Sequence, residues 1–246
     1  MKSNLSNDAF LCKIVELITE IPNEGGLAPL CGDYLFEGDK KTVPDIIIDK
    51  NRFDFSRFSE ISKESAYYME AGRQFNSRLL DFNGLYLHSS AIELEGRAYL
   101  FSGPCGTGKS THTRLWQSTF GEGARVFNDD KPALRKMDGT WYAYGTPWCG
   151  KDHININMKA PLCGICFLRQ AGENRIRRLS AAEATSKILS QTFHKFKRVE
   201  RLDMMLALID DIVRTIPVFE LENRPEREAA ELSYSTMLKA AKEAGL

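Results

Sequence analysis

Arg97-Ala98-Tyr99-Leu100-Phe101-Ser102-Gly103-Pro104-Cys105-Gly106-Thr107-Gly108-Lys109-Ser110-Thr111 is the most informative stretch of the chain. Its first six residues have the apolar, aromatic character of a strand. Gly103 to Ser110 fit G-x-x-x-x-G-K-[ST], the P-loop pattern, in which backbone N–H groups cradle phosphate oxygens. Gly103, Gly106 and Gly108 permit the angles and close approach that a cradle needs. Cys105, Thr107 and Thr111 complete the expected nucleotide-binding stretch. Lys109 is expected to reach the outer phosphates, and Ser110 to offer its hydroxyl to Mg²⁺. Ser110 to Phe120 predicts a helix whose positive end points at the anion. A glycine-rich turn that binds nothing is the bland alternative. Strand, loop, Gly-Lys-Ser and helix in that order argue against it.

Working outward, Leu85 to Leu94 has a strand pattern and Glu95-Gly96 a turn, so an antiparallel hairpin feeds the loop. Downstream, Ala124 to Asn128 predicts a strand, and Pro132–Met137 and Trp141–Tyr144 a hairpin around Asp138-Gly139. Strands follow at Leu162–Arg169 and Arg175–Leu179, then helices near Ala181–Phe193 and Leu202–Thr215. Val218–Glu222 predicts a late strand, and Glu226–Ala244 a closing helix behind Pro225. Plain doubly wound sheets join parallel strands by helical crossovers. So many hairpins point instead to an α/β fold with a mixed sheet.

The N-terminal third is harder to read. Leu11 to Ile21 suits a strand or a helix. Asp33–Phe36 and Val43–Ile48 predict short strands separated by Gly38-Asp39. Ser62 to Phe82 predicts a helix with Ala66, Met69, Phe75, Leu79 and Leu80 roughly on one face, stopped by Asn83-Gly84. No linker or repeat interrupts the sequence. Residues 1–84 are therefore expected to elaborate the same domain as the core at 85–246.

With 246 residues, 43% hydrophobic and 27% charged, the composition is that of a globular protein with ample core. Basic and acidic residues balance at 33 each, so no global charge draws it to nucleic acid or a membrane surface. The basic run Lys195-Phe196-Lys197-Arg198 reads as a solvated face. No signal peptide or membrane-spanning stretch is visible, and a cytoplasmic location with six reduced cysteines is the expectation. Cys163-Gly164-Ile165-Cys166 lies in an apolar strand without a partner pair, and reads as core rather than a zinc site.

Asp129-Asp130 closes the strand Arg125–Asn128. Carboxylates at a strand end near such a loop can hold Mg²⁺ or accept a proton from an attacking hydroxyl, although Asp-Asp-Lys-Pro is also good turn chemistry. Together, Leu87-His88-Ser89-Ser90, the loop ending in Gly108-Lys109-Ser110, and Asp129-Asp130 resemble the catalytic domain of HPr kinase/phosphorylase. The loop is also similar to that of phosphoenolpyruvate carboxykinases, which share the fold. The tail Ile216 to Leu221 followed by Arg224-Pro225 looks like HPr-kinase-like proteins of small bacterial gene clusters, some of which act on peptides. The resemblance covers about 85 to 225.

That resemblance implies an ATP- and Mg²⁺-dependent kinase core in which Lys109 binds the β- and γ-phosphates and Ser110 holds the metal. It makes Asp129 the base, gives Asp130 to metal or orientation, and sets His88 beside the phosphates. His112, one turn beyond Lys109, lines the same pocket or faces solvent. The acceptor is a hydroxyl on a peptide, a small protein or a small molecule. GTP or pyrophosphate are alternatives to ATP within the superfamily, and homo-oligomerisation stays open. The glycine-rich signature that follows the acidic pair in HPr kinase is absent. Gly145 to Asn157 stands in its place and reads as a loop over a pocket, with an exposed Trp148, and with Lys151 and His153 either facing phosphate or acceptor or belonging to an ordinary polar loop. A non-catalytic nucleotide-sensing or maturation-associated binding module is the alternative reading, because phosphate binding does not require turnover.

Overall fold

The computed structural model describes residues 8–39, 41–58, 60–192 and 198–246. Phe193, at the expected end of a helix, and Lys195, Phe196 and Lys197 of the basic run lie outside them.

The ambiguous run from Leu11 to Ile21 is two antiparallel strands, β1 (Ala9–Ile14) and β2 (Leu17–Pro22). Their turn is made by Val15 and Glu16 at φ 56° and 62°, a conformation that β-branched residues rarely adopt. Tertiary contacts hold it there. Val15 is buried, its carbonyl accepts from Arg135 Nη1 at 2.8 Å, and Glu16 accepts from Tyr144 Oη and Lys159 Nζ, each at 2.7 Å. The short helix α1 (Leu27–Leu30) follows, and β3 (Ile46–Ile47) runs parallel to β2. Two strand expectations are corrected here. Gly32–Tyr34 is a 3-10 turn, leaving only Leu35 to bridge to Cys12, and the predicted strand at Val43–Ile48 shrinks to Ile46–Ile47. In the second segment the Asp45 and Ile48 N–H groups still bond to Ile18 O and Glu20 O of β2.

Helix α2 (Lys63–Leu79) starts at Ser62, whose hydroxyl accepts from the Ser65 N–H. Ala66, Phe75 and Leu79 are buried as expected, but Met69 is 45% exposed. The buried stripe runs instead through Tyr67, Glu70, Ala71 and Gln74. Fully buried Glu70 pairs with Arg73.

Among the described residues the main sheet has nine strands: β4 (Gly84–Tyr86), β5 (Ser89–Leu94), β6 (Arg97–Ser102), β7 (Arg125–Asn128), β8 (Ala133–Met137), β9 (Thr140–Tyr144), β10 (Lys159–Gln170), β11 (Arg175–Arg178) and β12 (Val218–Asn223). Their order is β4-β8-β9-β10-β6-β5-β7, with β12 also on β10 and β11 on β12. The single strand expected at Leu85–Leu94 is two. It breaks at Leu87-His88, whose amides bond to Pro132 O and Gln191 O outside any strand ladder. Both predicted hairpins are present, β5–β6 and β8–β9. Strand β6 pairs antiparallel with β5 and parallel with β10, so the sheet is mixed. Strand β10 is its spine: Lys159–Pro161 pair with β9, Ile165–Gln170 with β12, and the opposite edge with β6.

Helices cover both faces: α3 (Lys109–Phe120), α4 (Ala181–Thr192), α5 (Val199–Thr215) and α6 (Arg227–Glu243). Alternation along β6 sets the two cores. Tyr99 and Phe101 pack with Trp116 of α3 and Met237 of α6, whereas Ala98 and Leu100 pack with Ile188 of α4 and Ile209 of α5. Cys163 and Cys166 are buried in the first of these layers, as read from the sequence. Among the described residues no helix is long and apolar enough to cross a membrane.

Candidate functional site

Three neighbouring strands bring the predicted residues to one end of the sheet. Ser89 of β5 pairs with Ser102 of β6, and Ala91 of β5 pairs with Asn128 of β7. His88 therefore precedes β5 at the end where Gly103 leaves β6 and Asp129 leaves β7. Backbone bonds tighten the convergence: the Ser89 N–H donates to Asp130 O at 3.0 Å, and Ser102 Oγ donates to His88 O at 2.8 Å.

The glycine loop leads straight into α3. Gly103, Gly106 and Gly108 all have positive φ, at 145°, 84° and 96°. No atom lies within 4 Å of where a Cβ would stand on Gly106 or Gly108, so open space lies beside the backbone there. Lys109 Nζ folds back on the loop and donates to Gly103 O at 2.9 Å and Pro104 O at 3.3 Å. Burial lowers its pKa, and the charge of Asp130 opposes that shift. Thr107 Oγ1 donates to Pro104 O, Ser110 is half-buried, and Cys105 and Thr111 are exposed.

The two acids have different surroundings. Asp129 is 7% exposed and accepts the N–H of Gly150 at 2.6 Å and of Asp152 at 3.1 Å. Burial raises its pKa above the ordinary 3.8, and those N–H groups offset part of the rise. Burial pushes Asp130 up as well. Its bonds to His88 Nε2 at 3.2 Å and Lys131 Nζ at 2.9 Å outweigh that and hold it at about 2. His88 Nδ1 meets Gln191 Oε1 at 2.9 Å. Both ring nitrogens thus face oxygens.

Asn128, Tyr68 and Gln191 are site residues that the sequence reading missed. Asn128 Oδ1 accepts from the N–H groups of Asp130 and Lys131, fixing the acidic turn. Its Nδ2 donates to Thr146 O and Trp148 O, fixing the following loop. An Asn directly before Asp-Asp was the available signal. Tyr68, on α2, donates to Pro147 O at 3.1 Å and accepts from the Cys149 N–H at 2.7 Å. Nothing local in the sequence links it to a loop 79 residues away.

Two expectations for the neighbourhood are corrected. Trp148 is buried: it stacks on Phe75 with centroids 4.9 Å apart, over Gly72, and its Nε1 donates to Tyr68 O. His112 neither lines the pocket nor faces solvent. It is buried against Phe101, with Nε2 3.1 Å from Ser233 Oγ on α6. Because Ser233 donates its own proton to Ala230 O, His112 Nε2 is the donor and Nδ1 is left without a partner. Lys151 and His153 are exposed on the loop, and Asp152 ties it to α3 through Arg114 at 2.8 Å.

Among the described residues no cluster of three His, Cys, Asp or Glu side chains is placed to hold a metal. Mg²⁺ does not demand one, since it keeps waters and uses one or two protein groups beside phosphates. The donor set of Ser110 and ionised Asp130 suits that chemistry.

The family model described as SynChlorMet cassette protein ScmC matches residues 73–224. The chain belongs to that family. The ScmC match takes in the glycine loop, the acidic pair, Asn128 and the 145–157 loop, and leaves Tyr68 outside. No curated protein matches the chain. Among solved structures, the Hpr(Ser) kinase/phosphatase from Coxiella burnetii is similar at 11% identity and a TM-score of 0.36, over 64% of this chain and 90% of that one.

Proposed function

We propose that this ScmC-family chain is a kinase that transfers the γ-phosphate of ATP to a hydroxyl. The observation that supports it most is the convergence of the glycine loop, Lys109, His88 and the acidic pair at one end of three adjacent strands. Bound Mg²⁺ would neutralise phosphate charge, with Ser110 and Asp130 as its protein ligands.

In this reading the loop amides from Gly103 to Thr111 and the N-terminus of α3 hold the phosphates. Lys109 leaves the Gly103 and Pro104 carbonyls to meet the anion and stabilises the charge that develops during transfer. Asp129 takes the acceptor's hydroxyl proton as the new oxygen–phosphorus bond forms and the bond to the bridging oxygen of the leaving ADP breaks. Its burial makes it a stronger base than an exposed aspartate. His88 and Lys131 hold Asp130 in place and ionised.

The test is transfer of labelled γ-phosphate with Mg²⁺ into an extract split into peptide and small-molecule pools, beside a Lys109→Ala control. Label in one pool, lost in the control, supports the kinase and names its acceptor class. Lys109-dependent nucleotide binding with no label in either pool would turn the assignment to a non-catalytic nucleotide-sensing module.

A further inference from the structure

A cavity reaches Gly150, the residue whose N–H Asp129 holds, and residues outside the ScmC match build most of it. It has a volume of about 420 Å³ and lies between the Gly25–Leu30 segment, the first turns of α2 and the 149–153 loop. Pro29, Leu30, Tyr68, Cys149 and Gly150 are among its lining residues. Asp129 contacts the last of these, Gly150. A Cβ on that residue would stand 2.9 Å from Asp129 Oδ2, and its N–H is the group that Asp129 holds. Tyr68 joins the cavity to the same loop through Pro147 and Cys149, and its own ionisation is disfavoured chiefly by burial and then by Cys149 beside it.

The shape of this space selects among occupants. Pro29, Leu30, Glu64 and His153 are all exposed, so the cavity is an open-sided trough. A free small molecule is normally buried over 70–90% of its surface, and an open side works against that. A side chain projecting from a peptide needs no lid, because its backbone continues along the surface. The lining is largely apolar, and its polar residues are Glu64, Ser65, Tyr68 and His153. The Glu64 carboxylate is held below the ordinary range by the N–H and hydroxyl groups at the start of α2. Such a trough accepts an apolar side chain, and Glu64 repels an acidic one.

We infer that the trough is the acceptor subsite of the kinase: it seats an apolar side chain adjacent to the serine or threonine of a peptide, which delivers the hydroxyl past Gly150 to Asp129. This rests on the kinase reading, and it gives the segment before residue 73 the task of choosing the acceptor.

The probe is a set of short peptides with a central Ser, benzoylphenylalanine at a neighbouring position, and Leu or Glu at the other. Photolysis with the full chain, followed by peptide mapping, locates the adducts. Expected are adducts on Pro29, Leu30 or Tyr68, competed by Leu-flanked but not Glu-flanked unlabelled peptide. Leu30→Lys, a change at an exposed position, should reduce them at least tenfold and leave nucleotide affinity unchanged. Adducts only elsewhere, none at all, or adducts indifferent to both Leu30→Lys and the flanking residue would overturn the trough. The same peptides are assayed for label from γ-labelled ATP. Adducts in the trough without transfer to any peptide would sink the kinase reading and its acceptor role while keeping a peptide site. Transfer without adducts in the trough would do the reverse.

Discussion

The Asp129 carboxylate and the Gly150 amide, 21 residues apart, meet at 2.6 Å. This bond ties the acidic turn to the loop that follows it, and it holds a nearly buried carboxylate at the end of β7. Asp129→Asn keeps an oxygen for the Gly150 N–H but removes the proton acceptor. Nucleotide affinity should therefore be retained and phosphoryl transfer should fall by about 10²–10⁴-fold. In the parent protein, the acid limb of the transfer profile should lie above the ordinary 3.8, because burial is the larger influence on Asp129. Paired titration calorimetry and a pH–rate series check both outcomes. Transfer at the parent rate by the Asn variant removes Asp129 from the role.

His112 links pH to stability without touching the site. Burial holds its pKa at about 3, against 6.5 for a free imidazole. Below pH 6.5 the unfolded chain takes up a proton that the folded chain refuses, so stability falls as the pH drops from 6.5 towards 3, by about 1.4 kcal/mol per unit once the slope is full. His112→Phe removes that slope and also the unpartnered Nδ1. Its cost at pH 7 should be within about 1 kcal/mol, and at pH 5 it should be relatively better by about 2 kcal/mol. Urea titrations at the two pH values decide this; an equal difference at both would contradict the neutral buried ring.

Gly72 lies under Trp148. Alanine is about 1 kcal/mol better than glycine inside a helix, so α2 by itself would gain from Gly72→Ala. A Cβ there would stand 2.7 Å from Cδ1 and Nε1 of the indole. The expected outcome is a net loss of about 1–3 kcal/mol and a red-shifted tryptophan emission as Trp148 leaves Phe75. A more stable variant with unchanged emission would show that the indole does not pack there.

Arg135 clamps the N-terminal hairpin to the main sheet through Nη1 to Val15 O at 2.8 Å and Nε to Phe82 O at 3.0 Å. Arg135→Ala should cost about 2–3 kcal/mol, the scale of a lost charged hydrogen bond with its acceptors left bare. It should also open the Val15-Glu16 turn to limited proteolysis well before the core. An unchanged cleavage pattern would mean that burial of Val15 is sufficient to hold the turn.

What the sequence disclosed was local chemistry. The β5–β6 hairpin, the glycine loop with α3, and the Asp138-Gly139 turn each carry their instructions within a few adjacent residues, so they could be read without knowing their neighbours. The missed features depend on distant partners. Val15 and Glu16 are not turn residues, and the contacts from Arg135, Tyr144 and Lys159 hold them in a turn. The break at Leu87-His88 is hidden in an apolar run because its amides bond to Pro132 and Gln191. Trp148, among glycines and prolines, looked exposed until Gly72 made room for it. Tyr68 organises the site from a position that no motif marks, whereas Asn128 stands directly before Asp-Asp.

The position of β10 has a temporal consequence. Strand β6 ends in the glycine loop, yet its parallel neighbour arrives some sixty residues later, and β12, which completes β10's other edge, another fifty after that. Parallel pairings across such separations form late, because the intervening chain must be ordered before they reward it. The loop's sequence leaves the ribosome early and its geometry comes late. Until β10 docks, Lys109 and the acidic pair belong to an incomplete sheet edge, and ligands that need both should bind only once nearly the whole chain has been made.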